Sequence, residues 1–216
     1  PWFRQRAVEL ISYHVKYKRA FEASEALKEY FLQQIDKRRS KPTPDIIGDL
    51  VTAEIDGEKL SDESIYSFLR LLLPAGLETT YRSSGNLLYL LLTHPDQFRA
   101  VQENRELVAN AIEEGLRYET PLTTVQRYAS EETELAGVTL PKGSIIDVCI
   151  GSANHDENRW ERPEEFDIFR KRVPHISFAA GEHTCMGLHL ARMETRVALE
   201  SLLDRLSGFT LVTDDN

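Results

Sequence analysis

Residues 174–192, PHISFAAGEHTCMGLHLAR, hold Cys185, one of only two cysteines in the chain, between Gly181 and Gly187 and soon after Phe178 and His183. A thiol that only packs in a core needs none of these neighbours, although a lone cysteine is most often core packing. Apolar periodicity resumes near Met186, which places Cys185 at a helix start, where the dipole and free N–H groups stabilise a thiolate. Gly181 and Gly187 allow backbone conformations and close approach that other residues forbid.

Three chemistries use such a thiolate. A zinc site would recruit His175, His183 and His189, which lack the usual paired spacing. A Cys-His nucleophile would need an orienting group that nothing nearby supplies. An axial ligand of haem iron pushes electron density toward O–O cleavage; the glycines would let a flat macrocycle lie against the backbone, with Phe178 shielding the sulfur. The loop by itself leaves all three open.

Working outward, residues 61–93 predict one long helix. Ser61 is the expected N-cap, Asp62 and Glu63 fall in the first turn, and the pattern runs to Thr93 before His94-Pro95. That is roughly 50 Å of helix. Its interior carries Pro74-Ala75-Gly76, followed by Glu78 and Thr79. Pro74 has no N–H for the carbonyl of Arg70, so the helix is expected to kink or open there, with the Thr79 hydroxyl and an acid at the gap. Oxygen activation needs a delivery group of this kind.

The other segments set the fold class as mainly α. Residues 1–40 read as helical, with Phe21, Ala26, Tyr30 and Ile35 along one side, until SKPTPD breaks the pattern. A short helix follows in residues 45–60 and runs into an Asp-Gly turn. Two helices are expected over 95–119, with Val108, Ile112 and Leu116 in one row. Residues 125–150 predict a small antiparallel β region around Pro141-Lys142-Gly143, and 151–180 an ordered irregular segment. A final helix over 186–206 has apolar rows Leu190-Met193-Val197 and Leu188-Leu199-Leu202-Leu206, which predicts deep burial on two sides. Glu114 and Arg117, three apart, share a helix face and with Arg170 are expected to form a buried charge network. Arg127 and His183 are candidate partners for anionic groups.

Bulk composition narrows the function classes. The balance of 26 basic against 35 acidic residues, a formal charge of -9 over 216 residues, argues against bulk nucleic-acid binding. The longest apolar runs, LLLPAGL and LLYLLL, fall far short of the roughly 18 residues of a membrane helix. No signal-peptide pattern opens the chain, which starts at Pro1. Two cysteines far apart make no disulfide framework, so a reducing cytoplasm is expected.

Together these motifs resemble the cytochrome P-450 haem-thiolate monooxygenases of the bacterial soluble type. The resemblance rests on Phe178, Gly181, Cys185 and Gly187; on Ala75-Gly76-Leu77-Glu78-Thr79-Thr80; and on Glu114, Arg117 and Arg170. It implies haem b (iron protoporphyrin IX) with Cys185 as proximal ligand, proton delivery by Thr79 with Glu78, and propionates held by Arg127 and His183. Leu71, Ala75, Leu122, Thr123 and Val125 fall where the family lines its substrate pocket. Ala179 stands where a glycine is common, and Glu78 where aspartate is frequent. The implied activity is hydroxylation of a small organic substrate with O2 and two electrons from a ferredoxin or flavin-type donor. The match begins near the family's sixth helix and stops before its last strands. Residues 1–216 are therefore expected to be the C-terminal part of a single domain, lacking the N-terminal half. The runner-up is a fragment without activity of its own that self-associates through exposed apolar helix faces.

Overall fold

The structure, a computed structural model, describes residues 2–12, 15–206, 208 and 210–212. The chain divides into two compact units, Pro1–Glu78 and Thr79–Asn216.

In the first unit, α1 (Trp2–Ile11) packs on α2 (Tyr17–Ser40), followed by α3 (Ile46–Thr52) and a hairpin of β1 (Glu54–Ile55) and β2 (Glu58–Lys59). The buried stripe of α2 is Ala20, Ala23, Leu27, Phe31 and Ile35. This corrects the sequence reading: Phe21 is exposed, and the face turns about one residue from the expected row, keeping only Ile35. Phe3 meets Tyr30 edge to face at 4.9 Å. Asp45 caps α3 by accepting from the N–H groups of Ile47 and Gly48. Arg38 donates to the same carboxylate, and these bonds hold the Asp45 carboxyl far below its ordinary range. Asp56 and Gly57, at φ 53 and 81, form the tight hairpin turn that the Asp-Gly pair predicts.

Helix α4 (Asp62–Thr93) runs from the first unit into the second. Its start agrees with the sequence, since Ser61 Oγ accepts the Ser64 N–H at 3.1 Å. The expected opening at Pro74 does not interrupt it; α4 is helical throughout its 32 residues.

The second unit continues with α5 (Pro95–Glu103), α6 (Val108–Tyr118), β3 (Val125–Tyr128), β4 (Thr133–Leu135), β5 (Val138–Leu140), β6 (Ile145–Val148), α7 (Ile150–Ala153) and α8 (Leu188–Arg205). β3 pairs antiparallel with β6, placing Arg127 opposite Ile146, and β4 with β5. The core lies between α4, α5, α6 and α8, around Leu91, Val101, Val108, Ile112, Ile168 and Leu199. The double burial expected of the last helix is corrected. Leu199 is buried, but Leu190, Met193 and Val197 are more than half exposed, because α6 and the core shared with α4 cover one side of α8. No helix among the described residues is long and apolar enough to cross a membrane.

Candidate functional site

Helix α6 supplies the base of the site. Arg117 Nε and Nη2 donate to the two oxygens of Glu114 at 2.9 and 2.8 Å, one turn back on the same helix. Arg117 also donates to the carbonyls of Asn154, Pro163 and Glu165 at 2.9 to 3.0 Å. Arg170 reaches Glu114 at 3.3 Å and donates to the carbonyls of Glu161, Arg162 and Glu165. Glu114 further accepts the Asp167 N–H at 3.0 Å. Arg117 is 1% and Glu114 6% exposed, and a charge pair so deep persists only when its remaining donors and acceptors are satisfied, as here. The three residues thus pin the irregular segment 154–170 to α6.

The next loop is tied to the same helix by groups that no sequence motif singled out. Asn154, 1% exposed, donates to Ser177 Oγ at 2.8 Å and accepts the Ile176 N–H at 3.0 Å. Ser177 Oγ donates to the Leu116 carbonyl at 2.7 Å. His175 Nδ1 accepts the Ser177 N–H, which leaves its Nε2 facing Glu113 Oε2 at 3.4 Å, too long for a good hydrogen bond. Arg192, from α8, clasps Glu113 with two bonds of 2.6 and 2.8 Å. Burial alone would raise the Glu113 carboxyl, but the contacts with His175 and Arg192 outweigh it and lower it to about 2. Arg192 is correspondingly raised, chiefly by its bonds to Glu113. The one available signal was that Glu113 sits beside Glu114; a helix turns about 100° per residue, so the neighbouring acid reaches a different element.

The cysteine loop follows. The Cys185 N–H donates to the Phe178 carbonyl at 2.8 Å, which closes the loop around residues 178–185. Ala179 and Gly181 have φ of 58 and 72, the left-handed region that favours glycine. Cys185 is exposed. It lies three residues before α8 rather than at its first position, and its carbonyl accepts the Leu188 N–H at 3.3 Å. The zinc reading finds no ligand set: among the described residues no group of three His, Cys, Asp or Glu side chains is arranged for a metal ion, and His175 is turned to Glu113.

Of the remaining candidates, Arg127 and His183 are exposed, on β3 and in the cysteine loop. Leu122 and Thr123 are exposed and Val125 half-buried; the Thr123 carbonyl accepts the Gly151 N–H at 3.0 Å. On α4, Leu71 and Ala75 are exposed, and Glu78 and Thr79 half-buried.

The family model for cytochrome P450 matches residues 7–214. Cytochrome P450 109 of Bacillus spizizenii is 44% identical over 177 residues, covering 82% of this chain and 44% of that protein. The 6-deoxyerythronolide B hydroxylase of Saccharopolyspora erythraea is 37% identical over 194 residues, 89% of this chain and 48% of that protein. Among solved structures, P450BioI in complex with a hexadec-9Z-enoic acid-ligated acyl carrier protein superposes with a TM-score of 0.89 at 35% identity, over 98% of this chain and 56% of that one. The chain spans less than half the length of these two curated relatives.

Proposed function

The chain belongs to the cytochrome P450 family, and we propose that it is part of a haem-thiolate monooxygenase in which Cys185 ligates the iron of haem b. Proteins of the family bind haem b. The residues present fit that group. One exposed sulfur stands on a closed loop, Gly181 leaves open space where a side chain would project, and an added Cβ at Gly187 would meet only the Cys185 sulfur, at 3.9 Å. A single thiolate would suit an iron whose remaining ligands come mainly from the macrocycle.

When bound, the haem would supply oxygen activation, in which two electrons and two protons carry one atom of O2 to water while the other is inserted into an organic substrate. The chain's own residues do the rest. Cys185 provides the sulfur, and Phe178 shields it. Arg127 and His183 hold the cofactor's carboxylates. Ala75 leaves room beside α4, and Glu78 with Thr79 holds and moves a proton at the Thr79 hydroxyl. Leu71, Leu122, Thr123 and Val125 contribute a mostly apolar lining for a small organic substrate. Glu114, Arg117 and Arg170 keep the segment before the cysteine loop in place. Electrons come from a ferredoxin or flavin-type partner, in a reducing cytoplasm that suits two free cysteines.

The observation that carries this reading is the exposed Cys185 on a loop closed by the Phe178 carbonyl. Reducing the full-length protein under carbon monoxide tests it: the red-shifted Soret band of thiolate-ligated haem is expected, and Cys185→Ala abolishes it. A band that survives the substitution overturns the ligand assignment. A second reading draws on the exposed Leu190, Met193 and Val197: the 216 residues on their own self-associate and do not turn over. Size-exclusion with a haem titration tests this, and a monodisperse monomer with stoichiometric haem rejects it.

A further inference from the structure

Arg192 occupies a position that neither the cysteine motif nor the Glu114 network requires. Its guanidinium grips the Glu113 carboxylate through a two-bond fork at 2.6 and 2.8 Å, which fixes its plane as well as its place. The same guanidinium lies over the face of Phe178, 4.6 Å from the ring centroid, inside the range of a cation–π contact. Phe178 is the residue whose carbonyl receives the Cys185 N–H at 2.8 Å. The Cys185 sulfur lies within electrostatic reach of Arg192. His175 completes the arrangement, its Nε2 facing Glu113 at 3.4 Å and its ring centroid 6.0 Å from that of Phe178.

We propose that Arg192, held by Glu113, is a positioning residue that locks the Phe178 ring and sets the charge felt by the Cys185 thiolate, and so tunes the reduction potential of the haem. The proposal rests on the reading of Cys185 as haem ligand. The physical argument concerns charge. Reduction adds an electron to a centre that already carries a thiolate, so nearby positive charge favours the reduced form and nearby negative charge opposes it. Groups that contact a ligand rather than the metal tune potentials in this way. Arg192 and Glu113 form one pair with opposite charges, and removing either leaves the other uncompensated beside the loop.

This yields a test in which the sign decides. In the full-length haem protein, Arg192→Gln leaves Glu113 unneutralised, and the ferrous-to-ferric ratio at a fixed potential is expected to fall about two- to fivefold. Glu113→Gln leaves the guanidinium unneutralised and is expected to shift the potential the other way. Arg192→Lys keeps the charge but loses the fork and the flat stack. It should hold the potential near the wild-type value while the thiolate-ligated carbon monoxide complex decays faster to the thiol-ligated form. A purely structural role would move both glutamine variants in the same direction. Shifts of one sign, or no shift, in two variants that retain the thiolate band overturn the proposal and leave the ligand reading intact. Absence of that band in the wild-type protein overturns the ligand reading, and the proposal with it. Should Arg192→Gln fail to hold haem, Glu113→Gln against Arg192→Lys decides: a positive shift in the first alone supports the proposal, and anything else rejects it.

Discussion

Arg117 is 1% exposed and closes a two-bond fork on Glu114 from one turn away on the same helix. On a helix surface such a pair contributes only about 0.2–0.5 kcal/mol. Buried, each partner depends on the other, because removing one leaves an uncompensated charge away from water.

Glu114→Ala or Arg117→Ala is therefore expected to destabilise the full-length protein by about 3–5 kcal/mol, with loss of haem, as read by thermal unfolding and pigment content. Arg117→Lys should rescue little, since one ammonium cannot replace donors that reach Glu114 and the carbonyls of Asn154, Pro163 and Glu165. Wild-type stability in either alanine variant would remove the clamp from the account.

Ala179 carries a φ of 58 at the turn where its N–H meets the Ile176 carbonyl at 2.9 Å. A side chain there costs about 1 kcal/mol relative to glycine. Ala179→Gly is expected to raise stability by up to about 1 kcal/mol, less the entropy that glycine adds to the unfolded chain. The β-branched Ala179→Val should lower stability by more, and denaturant midpoints compare the three.

Acid should loosen the contact between α6 and α8. The Glu113 carboxyl falls from 4.5 to about 2, so between those values the unfolded chain binds more protons than the folded one. The stabilisation is complete above about pH 4.5 and is lost as pH falls through about 2. Glu113→Gln is expected to flatten this limb of a stability–pH curve measured between pH 2 and 6. An unchanged slope would mean that the Arg192 fork contributes nothing to folding.

The half-buried Thr79 gives a kinetic prediction within the proposed function. Thr79→Ala in the complete enzyme should divert reducing equivalents to hydrogen peroxide and lower product formation about 10²–10⁴-fold, the range of a lost proton-transfer group. Peroxide and product measured against reductant consumed check it, and unchanged coupling removes the role.

Several features were legible because they are local. The Ser61 cap, the start of α4 and the Asp56-Gly57 turn depend on residues a few positions apart. Periodicity places the apolar face of α2 one residue off, since Phe21 is as hydrophobic as Phe31 and only packing separates them. For the last helix, periodicity predicts burial on two sides, because it reports apolar rows and not which of them finds a neighbour. Glu114 with Arg117 and Arg170 was anticipated as a network; Asn154, Ser177 and Glu113 were not, since each acts through a partner far along the chain.

The sequence by itself determined the helical frame, the turns at Asp-Gly and Pro-Lys-Gly, and a cysteine loop with its glycines. These follow from backbone sterics and short-range periodicity, which act within a few residues. Tertiary structure alone decided that Arg192 meets Glu113 across 79 positions and lies over Phe178, and that Leu199 rather than Val197 faces the core. Charge and stacking act through space, and only the packing of α6 against α8 brings those atoms within 3 to 5 Å of one another.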